Sequence, residues 1–480
     1  MSKQDPVIHA RGLVAKLGLF TTVMIIMGNM IGSGIFKKAA PMAAELQSPG
    51  LLLICWLIAG VITLFGALTY SEIAGMIAEP GGLYQYLKRM YGRGFAFLFG
   101  WSSFTVIQTA SISSIAYVFG ESANALYGFP RLAPEYEAWS IFGLFQPLDN
   151  FGVKLFTIAT IAVLTTANYF GVVFGGVIAS ISTCVKLAGI AVVILLGLTL
   201  SGGTIDHLVP LLENPSAEYR TSLGVFGAMF AAFLGAFWAY DGWSNVASLG
   251  AEVRNAKRNI PLALAIGTFG VMGVYMAINA VYLYVMPVSD MGALTQTKNS
   301  IVAVEVMRRA LGEGGATFIA VLILLSTFGA TNCQLMPHSR VYFAMARDNL
   351  FFRAAGNCHP VHHTPSTSLI IQAVWASLLV LSGTFDQLTD MVIFASFIFY
   401  GAGAFGVFVL RRTMKDEPRS YRVTGYPFVP AVFVLFCCVL VLVTIYQDPK
   451  NAGIGLVLVF SGIPFYWFWR GRDGAPAQDS

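Results

Sequence analysis

Charge almost disappears from this chain at regular intervals, and each gap leaves an apolar run long enough to cross a bilayer. Twelve such runs occur, at 17–36, 51–70, 95–120, 155–174, 176–200, 221–240, 262–286, 316–337, 366–384, 391–410, 428–446 and 452–469. A hydrocarbon core about 30 Å thick is spanned by about 20 helical residues. The pattern therefore predicts an all-α integral membrane protein with twelve transmembrane helices.

Two of the runs are poor material for regular helices. The first contains Gly28-Asn29-Met30-Ile31-Gly32-Ser33-Gly34-Ile35-Phe36, and each glycine costs about 1 kcal/mol against alanine in a helix interior. A backbone break inside a membrane is tolerated only where protein buries it or where it lines a wet cavity. A half-helix starting there aims the bare amides of Ser33 and Gly34 at that cavity, a seat for an anion. The same glycines also suit close helix packing, and the motif by itself admits both readings. The sixth run holds Phe237-Trp238-Ala239-Tyr240-Asp241-Gly242-Trp243-Ser244-Asn245, where Asp, Gly and clustered aromatics again disfavour a helix.

The broken runs, first and sixth, hold corresponding places in successive sets of five. That spacing predicts an inverted 5+5 repeat with its binding site at the breaks: a first half at 17–205, a second at 221–411, and two further helices within 423–470. Residues 1–16 and 471–480 are then short cytoplasmic tails. No residue-level self-similarity accompanies the repeat, which is topological.

Composition agrees. Of 480 residues, 56% are hydrophobic and 11% charged, against about a quarter charged in soluble domains, and mean hydropathy is +0.70. No separate soluble domain and no cleavable signal peptide are expected. With the N-terminus inside, nineteen of the 29 Lys and Arg residues fall on the cytoplasmic side and nine outside, the bias of the positive-inside rule. Both termini are accordingly expected in the cytoplasm of a cell-membrane protein. The +5 net charge is absorbed by this bias and does not point to nucleic acid. Six cysteines form no disulfide or CxxC framework.

Lys186 is the one cation inside a span, about 15 Å deep if its helix starts near Gly176. Buried ionisable groups usually mark an ion or substrate path, with a strut between two helices as the plain alternative. Asp241 is likewise costly at a break near the midplane unless paired; it either caps the second half of helix six or faces the cavity and favours cationic substrates. Pro261 suits the first turn of helix seven, and residues 300–311, apolar at 301, 304, 307 and 311, suit an amphipathic cap over the mouth. A segment carrying Tyr84, Tyr86, Lys88, Arg89, Tyr91 and Arg93 is expected at headgroup level.

Other signals lead nowhere. Gly401-Ala402-Gly403-Ala404-Phe405-Gly406 matches G-x-G-x-x-G but lies in an apolar helix with no strand before it. Cys358-His359-Pro360-Val361-His362-His363 has no second ligand pair, so no metal is expected. Neither a nucleophile–base pair nor a phosphate loop is present; an enzyme is not expected, nor a cofactor.

The chain resembles the amino acid–polyamine–organocation superfamily of transporters, and more narrowly the L-type amino acid exchangers and their bacterial homologues. The residues carrying the resemblance are 28–36, Ala67–Ile73 with Pro80-Gly81-Gly82-Leu83-Tyr84, Trp238–Trp243 with Glu252 and Asn259-Ile260-Pro261, and Ser326–Ala330 through Ser339-Arg340. The resemblance implies a substrate site at Met30, Ile31, Gly32, Ser33, Gly34, Trp238, Ala239, Tyr240 and Asp241. The Ser33 and Gly34 amides would hold the α-carboxylate, and carbonyls near Met30, Trp238 and Asp241 the α-amino group. Trp238 would be the gating aromatic, and Lys186 would stand where sodium-coupled relatives bind an ion. The eukaryotic exchangers are disulfide-linked to a glycoprotein through the loop after helix three; here that loop, 121–154, has no cysteine, so no linked heavy chain is expected. These features imply a sodium-independent amino-acid transporter working by alternating access, as an exchanger. A proton-coupled symporter using Lys186 and an amino-acid sensor are the alternatives.

Overall fold

The computed structural model describes residues 12–141, 145–209, 223–296, 301–383 and 385–470, without the side chains of 385–392. Residues 1–11 and 471–480, which hold most of the expected tails, and Thr221, where the sixth run begins, lie outside the described residues. Among the described residues eleven helices are long and apolar enough to cross a membrane. In chain order they are helices one (Leu19–Lys37), two (Pro49–Met76), three (Arg93–Tyr127), four (Phe151–Tyr169), five (Val172–Leu200), six (Gly224–Leu249), seven (Ala256–Val285) and eight (Glu313–Arg347), then ten (Ile393–Thr413), eleven (Phe428–Gln447) and twelve (Pro449–Arg470). Helix nine (Ser366–Ser382) is also apolar but has 17 residues.

Both interruptions are present. Helix one is regular over Leu19–Met30, unwinds at Ile31-Gly32-Ser33 and resumes at Gly34–Lys37. Helix six stops at Tyr240. Beyond Asp241 the chain makes a turn and enters a five-residue 3₁₀ segment, Asn245–Leu249, instead of a second α-helix. Gly242 has φ +94°, in the left-handed region open to glycine, and this is what lets the chain turn.

Helix one packs against helices five, seven and eight. Helices five and eleven stand at the rim. On helix five Val177, Ile181, Val185, Val192 and Leu195 form an exposed apolar stripe, as a lipid-facing surface requires.

Several expectations shift in detail. Helix five begins at Val172, not Gly176, so Lys186 lies about 21 Å in, the middle of a 29-residue helix. Helix seven begins at Ala256, which puts Pro261 in its second turn. Proline has no N–H to give the carbonyl four residues back; that carbonyl, Lys257 O, takes the Ser420 hydroxyl instead. The short helix Val302–Leu311 buries Val302, Ala303, Val306 and Met307, so its inner face is offset from the expected 301/304/307/311 set and Leu311 is exposed. The segment after helix two forms a helix, Leu83–Tyr91, whose Tyr84 and Tyr86 are buried under the bundle. There the Tyr84 hydroxyl donates to Asp348 at 2.8 Å and Lys88 pairs with the same carboxylate at 2.6 Å.

The face that carries both described chain ends is tied shut. Arg340 and Glu252, each at most 1% exposed, form a bidentate pair with both contacts at 2.7 Å. The amides of Lys16 and Leu17 donate to the Glu252 carbonyl at 2.9 Å, which fastens the N-terminal segment to the same point. Glu72 is held by Arg411, Arg419 and the amide of Val423. Cys358 and His363 both contact the Gly12 carbonyl, so this stretch tethers the N-terminal segment. The opposite face is open, with cavities of about 640 Å³ beside Lys37, Glu121 and Arg131 and about 440 Å³ beside Lys38, Glu45 and Trp238.

Candidate substrate-binding site

The two breaks meet at the centre of the bundle. A Cβ on Gly34 would lie 2.8 Å from both Cα and Cβ of Ala239, so glycine is what lets the two backbones touch. Gly28 packs just as closely against Thr183 and Cys333, whereas a Cβ on Gly32 would meet only Ala330 at an ordinary 3.7 Å. The packing reading of the motif therefore describes Gly28 and Gly34, and Gly32 has room around it.

A cavity lies between the breaks, lined by Asn29, Met30, Gly32, Ser33, Gly34, Ser111, Ile115, Trp238, Asp241 and Gln334. Among the described residues no acceptor takes the amides of Ser33, Gly34 or Ile35. Across from them stands the Asp241 carboxylate, whose Oδ1 accepts the Tyr400 hydroxyl at 2.8 Å. The Oδ1 atom of Asn29 and the Ser111 hydroxyl also have no partner among the described residues. One wall thus presents donors and the other acceptors. Free space for water centres is about 20 Å³, room for one water, so an amino acid enters only if helices or rotamers move.

Trp238 lines both this cavity and the 440 Å³ cavity on the open face, and so links the two. Lys38 Nζ lies 5.9 Å from its centroid on the outer side. Three residues of the expected set do not line the cavity. Ile31 turns its carbonyl to Lys186, Ala239 gives its carbonyl to Tyr275, and Tyr240 points away, its hydroxyl donating to Trp56 O at 3.3 Å. The capping reading of Asp241 reaches only the next residue: its carboxylate accepts the Gly242 amide and caps no helix. The 3₁₀ segment starts at Ser244 without a side-chain cap, and Asp241 Oδ1 is engaged by Tyr400.

Lys186 stands behind the break, not in the cavity. Its Nζ donates to the carbonyls of Gly28 (3.1 Å), Ile31 (2.6 Å) and Ser326 (3.1 Å). Three acceptors match the three donors of an ammonium group. The Ser326 hydroxyl also donates to Ile31 O and lies within reach of Gly32 O. Carbonyls freed by unwinding are thereby satisfied from helices five and eight, as buried backbone requires.

Tyr275 on helix seven places its hydroxyl 2.8 Å from both Met30 O and Ala239 O. It holds one proton, so it donates to one break at a time while touching both. Sequence reading missed Tyr275, and also Asn29, Ser111, Ile115 and Gln334. Polar residues within apolar runs were a visible signal for Ser111 and Gln334; their direction was not.

The amino acid permease family profile matches residues 17–467, a span that includes both breaks. The chain is 30% identical over 466 residues to the serine/threonine exchanger SteT of Bacillus subtilis (strain 168), covering 97% of this chain and 99% of that one. It is 30% identical over 472 residues to the b(0,+)-type amino acid transporter 1 of Homo sapiens, covering 98% and 90%. With the cystine/glutamate transporter of Homo sapiens identity is 28% over 477 residues, covering 99% and 89%. Two interrupted helices meeting at a buried cavity, within a match that runs almost end to end, make this chain a member of the amino acid permease family, whose members are membrane transporters.

Proposed function

We propose that the protein is a sodium-independent amino-acid exchanger working by alternating access. The observation that carries this reading is the polarity of the central cavity: unpaired amides at Ser33 and Gly34 on one side, and Asp241, Asn29 Oδ1 and Ser111 on the other. A zwitterion needs donors for its carboxylate and acceptors for its ammonium group, and two facing helix breaks provide both. The acceptor-rich wall favours small polar or cationic side chains. An exchange mode is supported by the relatives, one of which is a serine/threonine exchanger.

Positive-inside counting puts the tied face in the cytoplasm, so this conformation is closed inside, with Trp238 across the outer entrance. A bundle containing the two broken helices would rock against the rest. Lys186, with every donor engaged by a carbonyl, serves as a strut that stands in for an ion, and this weighs against it as a proton carrier. The small-molecule substrate and the lipid bilayer are the partners required.

The test is uptake of radiolabelled L-serine and L-arginine into proteoliposomes of the purified chain, with or without unlabelled amino acid inside, at several external pH values. Uptake should depend on internal amino acid and not on sodium. Accumulation into empty vesicles driven by an inward proton gradient would replace exchange with symport.

A further inference from the structure

A second, smaller pocket lies one turn nearer the tied face. It is lined by Leu83, Phe99, Ser103, Gln108, Ser244, Asn245, Ser248, His338, Val341 and Tyr400. Its register against the central cavity is regular. On helix three Gln108 is one turn before Ser111, on helix eight His338 is one turn after Gln334, and past the end of helix six Ser244 and Asn245 follow Asp241 through the turn. Helix three runs away from the tied face while helix eight runs toward it, so both helical steps lead the same way, by about 5.4 Å.

Two hydrogen bonds separate the pockets. Asn245 Nδ2 donates to Gln334 Oε1 at 3.3 Å, and Tyr400 donates to Asp241 at 2.8 Å. Below this partition several polar groups are poorly satisfied. His338, which is 2% exposed, has only the Gln334 carbonyl one turn back beside its ring and no hydrogen bond of good geometry among the described residues, while Gln108 Oε1 and the Ser103 hydroxyl lack a partner there. Each buried group left unpaired costs about 1–3 kcal/mol, and native interiors rarely gather several in one place. A π-helical turn, Ser103–Ile107, runs between Ser103 and Gln108, and π-bulges concentrate at functional positions.

We propose that this pocket is an inner station for the transported amino acid, occupied after the Asn245–Gln334 partition parts and before release at the tied face. The proposal rests on the exchanger reading above. Neutral imidazole offers one donor and one acceptor; with the Ser103 hydroxyl and the Gln108 carbonyl the pocket meets both ends of a zwitterion. Its free volume of about 10 Å³ is close to a single water's, so the station admits the amino acid only as the helices separate. The unpaired groups are the feature a transit site needs: they lower the barrier without binding tightly in the closed state.

The experiment compares wild type, His338→Leu and His338→Gln, with Gln108→Met as an independent variant on helix three. Equilibrium affinity in detergent and exchange rate in proteoliposomes are measured with L-serine and L-arginine, on monodisperse protein only. In His338→Leu and Gln108→Met exchange should slow by about tenfold, the loss of roughly one hydrogen bond from the barrier, with affinity unchanged. His338→Gln should keep most of the rate. Wild-type exchange together with an unaffected rate in both apolar variants overturns the inner station alone, and so does a parallel loss of affinity and rate. No exchange by the wild type overturns the exchanger reading itself.

Discussion

Lys186 Nζ lies 2.6 Å from the carbonyl of Ile31, joining the middle of helix five to the unwound turn of helix one. The lysine is fully buried. Removing it leaves Gly28 O to find another donor, at about 1–3 kcal/mol if it stays unpaired, while Ile31 O keeps the Ser326 hydroxyl. Lys186→Ala is expected to stay in the membrane, melt earlier in detergent and exchange at least about tenfold more slowly. An unchanged exchange rate would show that the strut is dispensable.

Asp241 should decide between cationic and neutral substrates. In Asp241→Asn the cavity keeps a hydrogen-bonding group at this position but loses its charge. Competition by arginine, lysine and ornithine against labelled serine is expected to weaken by about tenfold or more, while alanine competes as before. Equal loss for all substrates, or none, would remove Asp241 from the specificity pocket.

Gly34→Val should abolish binding, but through packing more than through blockage of the carboxylate seat. The new Cβ meets Ala239 Cα and Cβ at 2.8 Å, and overpacking of this kind costs about 1–3 kcal/mol. Gly34→Ala should be milder. Gly34→Ala with Ala239→Gly should recover only part of the loss, because the new methyl group still presses on the Ala239 backbone. Full recovery in the double variant would mean that the backbones can separate freely.

Tyr275→Phe removes one hydroxyl shared by two breaks. Binding in equilibrium should change little, and exchange should fall severalfold, in line with about 1 kcal/mol for one hydrogen bond. If affinity collapses and turnover does not, Tyr275 shapes the site instead of coordinating the two breaks.

The single chain is expected to transport without a second subunit. Helix three ends at Tyr127 and helix four begins at Phe151, so the expected loop 121–154 takes in both helix ends; none of its residues is a cysteine, and the covalent link of the eukaryotic exchangers cannot form there. Purified protein should exchange fully in liposomes; activity only with a co-purified partner would contradict this.

Local chemistry made much of this protein legible before folding was considered. Apolar length fixes where a helix must cross, because unpaired backbone is intolerable in hydrocarbon. Gly32 and Gly242 mark breaks because their cost is incurred residue by residue, and counting places Lys186 inside a span, though its depth shifts once helix five is seen to start at Val172. Direction was not legible. Asp241 lines the cavity and its neighbour Tyr240 does not, since past a broken turn helical periodicity no longer says which way a side chain points. The acceptors of Lys186, the double hydrogen-bond reach of Tyr275 and the pocket holding Gln108 beside His338 join residues far apart in the chain. Only the packed bundle brings them together, because the breaks release carbonyls and amides whose partners must come from other helices.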